Sequence, residues 1–268
     1  MDNFKILQQL RLRISPLRWA LALGASVSLA MGGGSAIRAA EPETAPPELK
    51  EVLARVETAA NGRDLEGVLN YYSPTFTNSD NLDRSEFSEG LTELWERYPN
   101  LTYRTELESW ERRGDGLVAE TMTYVTGTER EEGREIQLEA TMRSRQVIQN
   151  NQIVRQEIVS ERSVLSMGTN PPDVEVNLPE SVSPGEKYHF DAIVNEPLGN
   201  ALLLGGALEE KIERDRYFNI SEFELDLLQA GGVFKVGTAP DLAEPRWVSA
   251  ILIGEEGMTV VTQRLQVE

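Results

Sequence analysis

The feature that most constrains the fold is a change of hydrophobic period at Leu101. Between residues 49 and 98, apolar side chains recur every three or four positions, which is the spacing of a helix with one buried face. From Leu101 to Ser163 they alternate with polar side chains, as in strands that bury one face. The chain therefore predicts helices first and an antiparallel sheet second.

Proline, glycine and capping aspartate residues divide the helical part into three predicted helices. Pro46 and Pro47 favour a helix start, and Gly62 favours its end. The apolar face of this first helix comprises Leu49, Val52, Leu53 and Val56. A second helix is predicted from the Asp64 cap to Pro74, with Leu65, Val68, Leu69 and Tyr72 on one side. Asp83 and Glu86 resemble a capping box for a third, whose apolar face is Phe87, Leu91, Leu94, Trp95 and Tyr98.

Short turn signals separate four long strands after Leu101. The turns are predicted at Gly114-Asp115-Gly116, at Gly133 and at Asn150-Asn151. Because such a sheet has one apolar face, the three helices are expected to cover it.

The order of these elements resembles the nuclear-transport-factor-2-like superfamily over residues 48–165. The resemblance rests on Asn61-Gly62-Arg63-Asp64, on the run from Val68 to Phe76 and on the strand meander. It implies a cone-shaped α+β domain, with helices on a curved antiparallel sheet and a pocket between them. The superfamily includes SnoaL-like polyketide cyclases and ketosteroid isomerases, but also plain binding and assembly domains, so the fold alone does not assign an activity.

The resemblance suggests which side chains would lie near a cone pocket for a small hydrophobic ligand: Tyr72, Phe76, Trp95, Tyr103, Met122, Tyr124 and Met142. Aromatic residues at this spacing also suit an ordinary core. The sequence leaves both interpretations open.

Catalysis in such a domain has one candidate, Glu120. Enzymes of the superfamily use an acidic base with a Tyr or Asp donor, or His–Asp pairs, and residues 48–165 contain no histidine. Glu120 shares a strand face with Met122 and Tyr124, and an apolar pocket would raise its pKa as a general base requires. In the competing interpretation, Glu120 lies on the solvent-facing side of the sheet and pairs with Arg143 or Arg145.

A Pro- and Gly-bearing linker at 166–173 predicts a second domain over 174–268. About seven short strands separated by glycines fit an all-β sandwich, and the pattern resembles immunoglobulin-like domains without any specific motif. Residues 208–217 suit either a helical turn or a charged edge. His189, on a predicted strand, is interpreted as an ordinary strand residue.

Composition excludes several kinds of chemistry. The chain has no cysteine and one histidine, which removes disulfides, thiol nucleophiles and His–His metal sites. It has 44 acidic and 26 basic residues, so binding to nucleic acid is not expected. The oxygen-rich stretch Asn78–Asp83 lacks the spacing of a calcium hand and is interpreted as a loop with a helix cap. No metal or cofactor is expected.

The amino terminus resembles an export signal over residues 1–40. Basic residues precede Trp19–Met31, a thirteen-residue apolar run that is short for a membrane span of about 20 residues. Cleavage is expected near Ile37 or Ala40, followed by a linker at 41–47 and no stable membrane insertion. An uncleaved anchor and a buried helix are the alternatives. The expected location is extracytoplasmic, in a periplasm or, in a photosynthetic host, a thylakoid lumen.

These features together predict an exported, non-catalytic binding or assembly module. Its partner would be a small hydrophobic ligand or an envelope protein. The sequence leaves open whether the protein forms a homodimer. The alternative is an isomerase or cyclase that acts on a hydrophobic molecule with Glu120 as base.

Overall fold

The structure, a computed structural model, describes residues 39–131, 134–196, 202–218, 221–228 and 231–268. The export signal predicted at residues 1–40 therefore lies almost entirely outside the described residues, as does the turn predicted at Gly133. The described chain divides into an amino-terminal unit, residues 39–126 and 141–161, and a carboxyl-terminal unit, residues 127–140 and 162–268.

The amino-terminal unit contains the helices and one end of the long strands. Its elements, some of which continue into the other unit, are α1 (Pro47–Asn61), α2 (Leu65–Leu69), β1 (Tyr72–Asn78), α3 (Arg84–Arg97), β2 (Thr102–Arg113), β3 (Gly116–Glu131), β4 (Arg134–Gln149) and β5 (Gln152–Gly168). The strand order here is β1-β5-β4-β3-β2, with β1 parallel to β5 and β2 antiparallel to β3.

Side-chain capping explains where α2 and α3 begin. Asp64 accepts a hydrogen bond from the Gly67 amide at 2.8 Å and caps α2. Asp83 accepts from the Ser85 and Glu86 amides, and the Glu86 carboxylate accepts from the Asp83 amide at 2.9 Å. The predicted capping box is therefore confirmed, and it satisfies amides that the first turn of α3 leaves without helical partners.

The second predicted helix is wrong in its last part. It was expected to include Tyr72 and to end at Pro74, but α2 ends at Leu69 and Tyr72 opens strand β1. Tyr72 pairs with Ile153 of β5 and Asn78 with Gln156. This pairing joins residues about eighty positions apart, so local periodicity could not reveal it.

The hairpin between β4 and β5 follows its turn residues. Asn150 and Asn151 both have positive φ, 50° and 60°, the conformation that asparagine tolerates best among residues with side chains. The turn predicted there is confirmed. The turn between β2 and β3 is confirmed too, with Gly114 at φ 57°.

The carboxyl-terminal unit is built almost wholly from strands. After β5, its strands are β6 (Val174–Asn177), β7 (Ser181–Val182), β8 (Lys187–Val194), β9 (Leu204–Lys211), β10 (Asp226–Leu227), β11 (Gly232–Thr238), β12 (Arg246–Ile253) and β13 (Gly257–Val267). The one helix described here is α4 (Arg214–Phe218). One sheet has the order β10-β9-β12-β13-β5, and a second has the order β11-β8-β6.

Apolar side chains from both sheets form a single buried cluster. Tyr188, Phe190 and Ala192 of β8 contribute from one sheet, and Ala250 and Leu252 of β12 are among those from the other. His189 alternates with these residues and is exposed on the outer face of β8, opposite Val236. It is thus the ordinary strand residue that was predicted.

Two local predictions for this unit are now resolved. Gly205 and Gly206 are among the glycines that were expected to separate the short strands, but they lie inside β9. A Cβ on Gly206 would overlap the Glu224 carbonyl oxygen, so glycine is needed for close backbone approach and not for a bend. The ambiguous stretch 208–217 is strand up to Lys211 and helix from Arg214.

The predicted fold class, an α+β cone of helices on a curved sheet followed by a separate all-β sandwich, is wrong. The described structure is mostly β, with large antiparallel sheets. Strands β3 to β5 have sixteen or seventeen residues each, whereas the longest helix among the described residues has fifteen. Moreover, Arg162–Gly168 at the end of β5 pairs with β13 of the carboxyl-terminal unit.

The domain boundary predicted at 166–173 stays a prediction. Residues 127–140 and 162–168 of the long strands group with the carboxyl-terminal unit, so β3, β4 and β5 each contribute to both units. The predicted linker at 41–47 forms a short 3-10 turn whose Glu41 carbonyl and Thr44 hydroxyl accept hydrogen bonds from Trp110 Nε1.

Candidate functional site

Five of the seven predicted pocket residues lie in the interior of the amino-terminal unit. Tyr72 and Phe76 belong to an aromatic cluster with Phe87, with ring centroids 4.6–5.8 Å apart. Trp95 Nε1 donates a hydrogen bond to Tyr103 Oη at 3.0 Å. Met142 is also buried.

Met122 and Tyr124 do not join this group. They alternate along β3 with Thr121 and Thr123, which are buried on the opposite face. The Tyr124 ring lies instead beneath the Arg104 guanidinium, 4.1 Å from its carbon to the ring centroid. The strand assignment was correct, but the inward face of β3 is the one that carries threonine.

One cavity among the described residues of this unit lies beside Tyr72 and Tyr103 and is too small for a hydrophobic ligand. Its volume is about 20 Å³, close to what one water molecule requires. Tyr72, Tyr103, Glu57 and Gln146 are among the residues that line it. The five predicted pocket residues that lie inside are buried and contribute to the core, and a ligand pocket at these residues stays a prediction.

The two buried tyrosines differ in their hydrogen bonding. Burial raises the pKa of Tyr72, and burial also raises the pKa of Tyr103 despite the opposing effects of the Trp95 hydrogen bond and the Arg63 charge. Both phenols are thus neutral near pH 7. Tyr103 has Trp95 as a partner, whereas Tyr72 Oη has no hydrogen-bond partner among the described residues.

This difference gives a matched pair of substitutions. Tyr72→Phe should change the free energy of unfolding by less than about 0.5 kcal/mol or stabilise the protein, because a buried hydroxyl without a partner is removed. Tyr103→Phe should cost about 1 kcal/mol or more, because Trp95 Nε1 loses its acceptor. Urea unfolding of both variants checks this. A larger loss for Tyr72→Phe than for Tyr103→Phe would contradict the hydrogen bonding described.

Glu120 lies on the outer face of β3 in an ion-pair network. Its carboxylate accepts from Arg145 Nη2 at 2.7 Å and from Ser109 Oγ at 3.1 Å, and Arg145 also pairs with Glu157 at 2.9 Å. Partial burial pushes the pKa of Glu120 upward, but the Arg145 hydrogen bond and charge, with Ser109 and Arg143, outweigh it and lower the pKa. A general base in an apolar pocket needs the opposite shift.

We therefore expect Glu120→Gln to leave biological function intact and to cost less than about 1 kcal/mol at pH 7. Because the pKa of Glu120 is lowered in the folded state, the ion pair stabilises the protein at pH values above the ordinary glutamate pKa of about 4.3. That contribution is lost as pH falls through the lowered pKa, and the stability difference from wild type should shrink at acid pH. Complementation of a deletion strain and urea unfolding at several pH values measure both effects. Loss of function at normal protein abundance would contradict the prediction.

The carboxyl-terminal unit contains an open groove of about 830 Å³. Its apolar lining consists of Met167, Leu202, Leu204, Leu227, Ile253 and Met258. Met167 and Met258 are buried in the floor, whereas Leu202 is 65% exposed and Leu227 50% exposed. A groove with exposed leucines is the kind of surface that binds a partner.

Strand ends and one turn position these side chains. Met167 and Gly168 end β5, Leu204 begins β9, and Ile253 ends β12. The turn at 254–257 is fixed by a hydrogen bond from the Gly254 amide to the Gly257 carbonyl and by one from the Thr169 amide to the Glu256 carbonyl, both 2.9 Å. Its acidic side chains, Glu255 and Glu256, form part of the groove rim with Arg134 and Glu135.

Sequence reasoning missed this groove. Its residues come from five separate stretches between 134 and 258, and none of them forms a motif. The one local signal was the run of apolar residues at 201–204, which was predicted as one of the short strands of the second domain. Leu203 is buried, but its neighbour Leu202 is not.

Among the described residues there is no group of three His, Asp or Glu side chains suited to hold a metal ion. The loop at Asn78–Asp83 closes on itself, with Asn78 Oδ1 accepting from the Asp80 and Leu82 amides. No helix in the described ranges is long and apolar enough to span a membrane.

Comparisons with known proteins give a family match and similarity to solved structures. Residues 169–268 match the family model described as "Domain of unknown function (DUF8623)". The solved "Structure of Bdellovibrio bacteriovorus Bd1075" matches with 14% identity and a TM-score of 0.31, and the alignment covers 41% of this chain and 38% of that one. No curated protein matches in sequence. Neither description names the nuclear-transport-factor-2-like superfamily or immunoglobulin-like domains, and both resemblances stay predictions.

Proposed function

We propose that the protein is an exported, non-catalytic binding module whose binding site is the groove of the carboxyl-terminal unit. The observation that carries this proposal is the exposure of Leu202 and Leu227 beside a methionine floor. Each square ångström of apolar surface withdrawn from water is worth about 25 cal/mol, so a partner that covers both leucines gains affinity directly.

The features of the amino-terminal unit support a non-catalytic role. The cavity beside its buried Tyr72 and Tyr103 has a volume of about 20 Å³, and Glu120 is held ionised on an outer face by Arg145. An isomerase or cyclase would need a pocket for its substrate and a base with a raised pKa. Export is proposed from the amino-terminal sequence, where basic residues precede Trp19–Met31.

The occupant that suits the groove best is an apolar segment of a partner polypeptide in the cell envelope. Small-molecule sites usually enclose most of their ligand. Here the walls formed by Leu202 and Leu227 remain largely open to solvent. A partner chain can cover such walls from outside.

The test uses the double variant Leu202→Asp with Leu227→Asp in the full-length protein. Complementation of a deletion strain should fail although the exported protein is present at normal level, because two charges replace the apolar walls. A photo-reactive side chain at position 227 should give one defined adduct with an envelope protein.

Leu242 offers the matched control, since it is 70% exposed and lies outside the groove lining. Leu242→Asp should complement normally, and a photo-reactive side chain at 242 should not give the same adduct. Normal complementation by the groove double variant would overturn the proposal.

A further inference from the structure

The groove rim carries more negative than positive charge. Glu135, Glu255 and Glu256 contribute three carboxylates, against one guanidinium from Arg134. All four side chains belong to exposed residues. Glu135 is partly compensated, because Arg130 lies 3.7 Å from its carboxylate.

Glu255 and Glu256 therefore dominate the field at the mouth of the groove. They occupy the turn whose backbone is fixed to Gly257 and Thr169, so their positions do not depend on their own side-chain contacts. Within the described residues neither carboxylate forms an ion pair. The surroundings reinforce the sign, since residues 169–268 include eighteen acidic and seven basic side chains.

We infer that the groove selects a cationic amphipathic segment, with leucine-sized apolar side chains flanked by Lys or Arg. This inference rests on the proposed function and specifies its partner. The apolar side chains contact Leu202, Leu227 and the methionine floor, while the flanking cations face Glu255 and Glu256. Complementary charge adds selectivity and association rate to the apolar contact. A second copy of this acidic chain does not fit the same description, because like charges repel.

The experiment measures binding of two synthetic amphipathic peptides to the exported protein by fluorescence anisotropy. One peptide contains leucine and lysine, and the other has glutamate in place of each lysine at the same spacing. The lysine peptide should bind about tenfold more tightly at low salt. Most of that preference should disappear between about 0.05 M and about 0.5 M salt, because the rim charges are exposed and screened.

The charge-reversal variant Glu255→Lys with Glu256→Lys should remove or invert the preference. Glu175→Lys with Glu268→Lys makes the same change in net charge at exposed positions outside the groove lining, and it should retain the preference. Equal effects of the two double variants would overturn the inference, because net charge alone would then explain the selectivity.

The remaining outcomes separate the inference from the proposed function. If both peptides bind wild type equally and Leu202→Asp with Leu227→Asp abolishes binding, the cationic preference is wrong and the groove remains the binding site. If neither peptide binds, or binding survives that double variant, both proposals fail.

Discussion

Trp95→Ala is expected to lower the free energy of unfolding by about 3–5 kcal/mol, the usual cost of truncating a buried tryptophan. Trp95 is 7% exposed in α3, and its indole nitrogen donates to Tyr103 Oη. The truncation removes apolar contacts and leaves the Tyr103 hydroxyl without its donor. Urea unfolding followed by circular dichroism measures the loss, and the exported level in cells should fall with it.

Two substitutions serve as controls for Trp95→Ala. Trp95→Phe keeps a ring in the same space and should recover more than half of the loss. Trp110 is partly exposed and contacts the 3-10 turn through its indole nitrogen, so Trp110→Ala should cost clearly less. A loss below about 1 kcal/mol for Trp95→Ala would show that the α3 packing described here is incorrect.

Gly168→Ala is expected to cost about 2–4 kcal/mol, from backbone strain and steric overlap together. Gly168 has φ 116°, a conformation that side chains disfavour. A Cβ at this position would overlap the Glu256 carbonyl oxygen and lie 2.5 Å from Gly257 Cα. Both are backbone atoms of the turn that forms the groove rim, so the turn would have to move. Thermal unfolding gives the stability change.

Gly114→Ala is the control for this prediction, because it changes a glycine of positive φ without any steric overlap. Gly114 also has a positive φ, 57°, but a Cβ there would have no neighbour within 4 Å. Its substitution should cost only about 1 kcal/mol, the price of the backbone conformation. If Gly168→Ala and Gly114→Ala cost the same, close approach between β5 and the Glu256 turn is not the reason for the glycine.

Local chemistry determined much of the secondary structure. The Asp83–Glu86 capping box, the Pro47 start of α1 and the Asn150-Asn151 turn were all readable from neighbouring residues. Each involves residues a few positions apart, so its signal lies within one short stretch of sequence. The change of period at Leu101 likewise predicted the start of β2 to within a residue or two.

Only the tertiary structure decided the sheet partners, the fold class and the candidate site. The pairing of β1 with β5 and of β13 with β5 joins segments separated by about eighty or more residues. Which face of β3 is inward depended on those partners, and it put Glu120 beside Arg145 rather than in a pocket. The groove exists because the ends of distant strands meet at one turn. Alternation shows that a strand has two unlike faces, but the partner that covers each face is chosen by long-range pairing, which has no local signature.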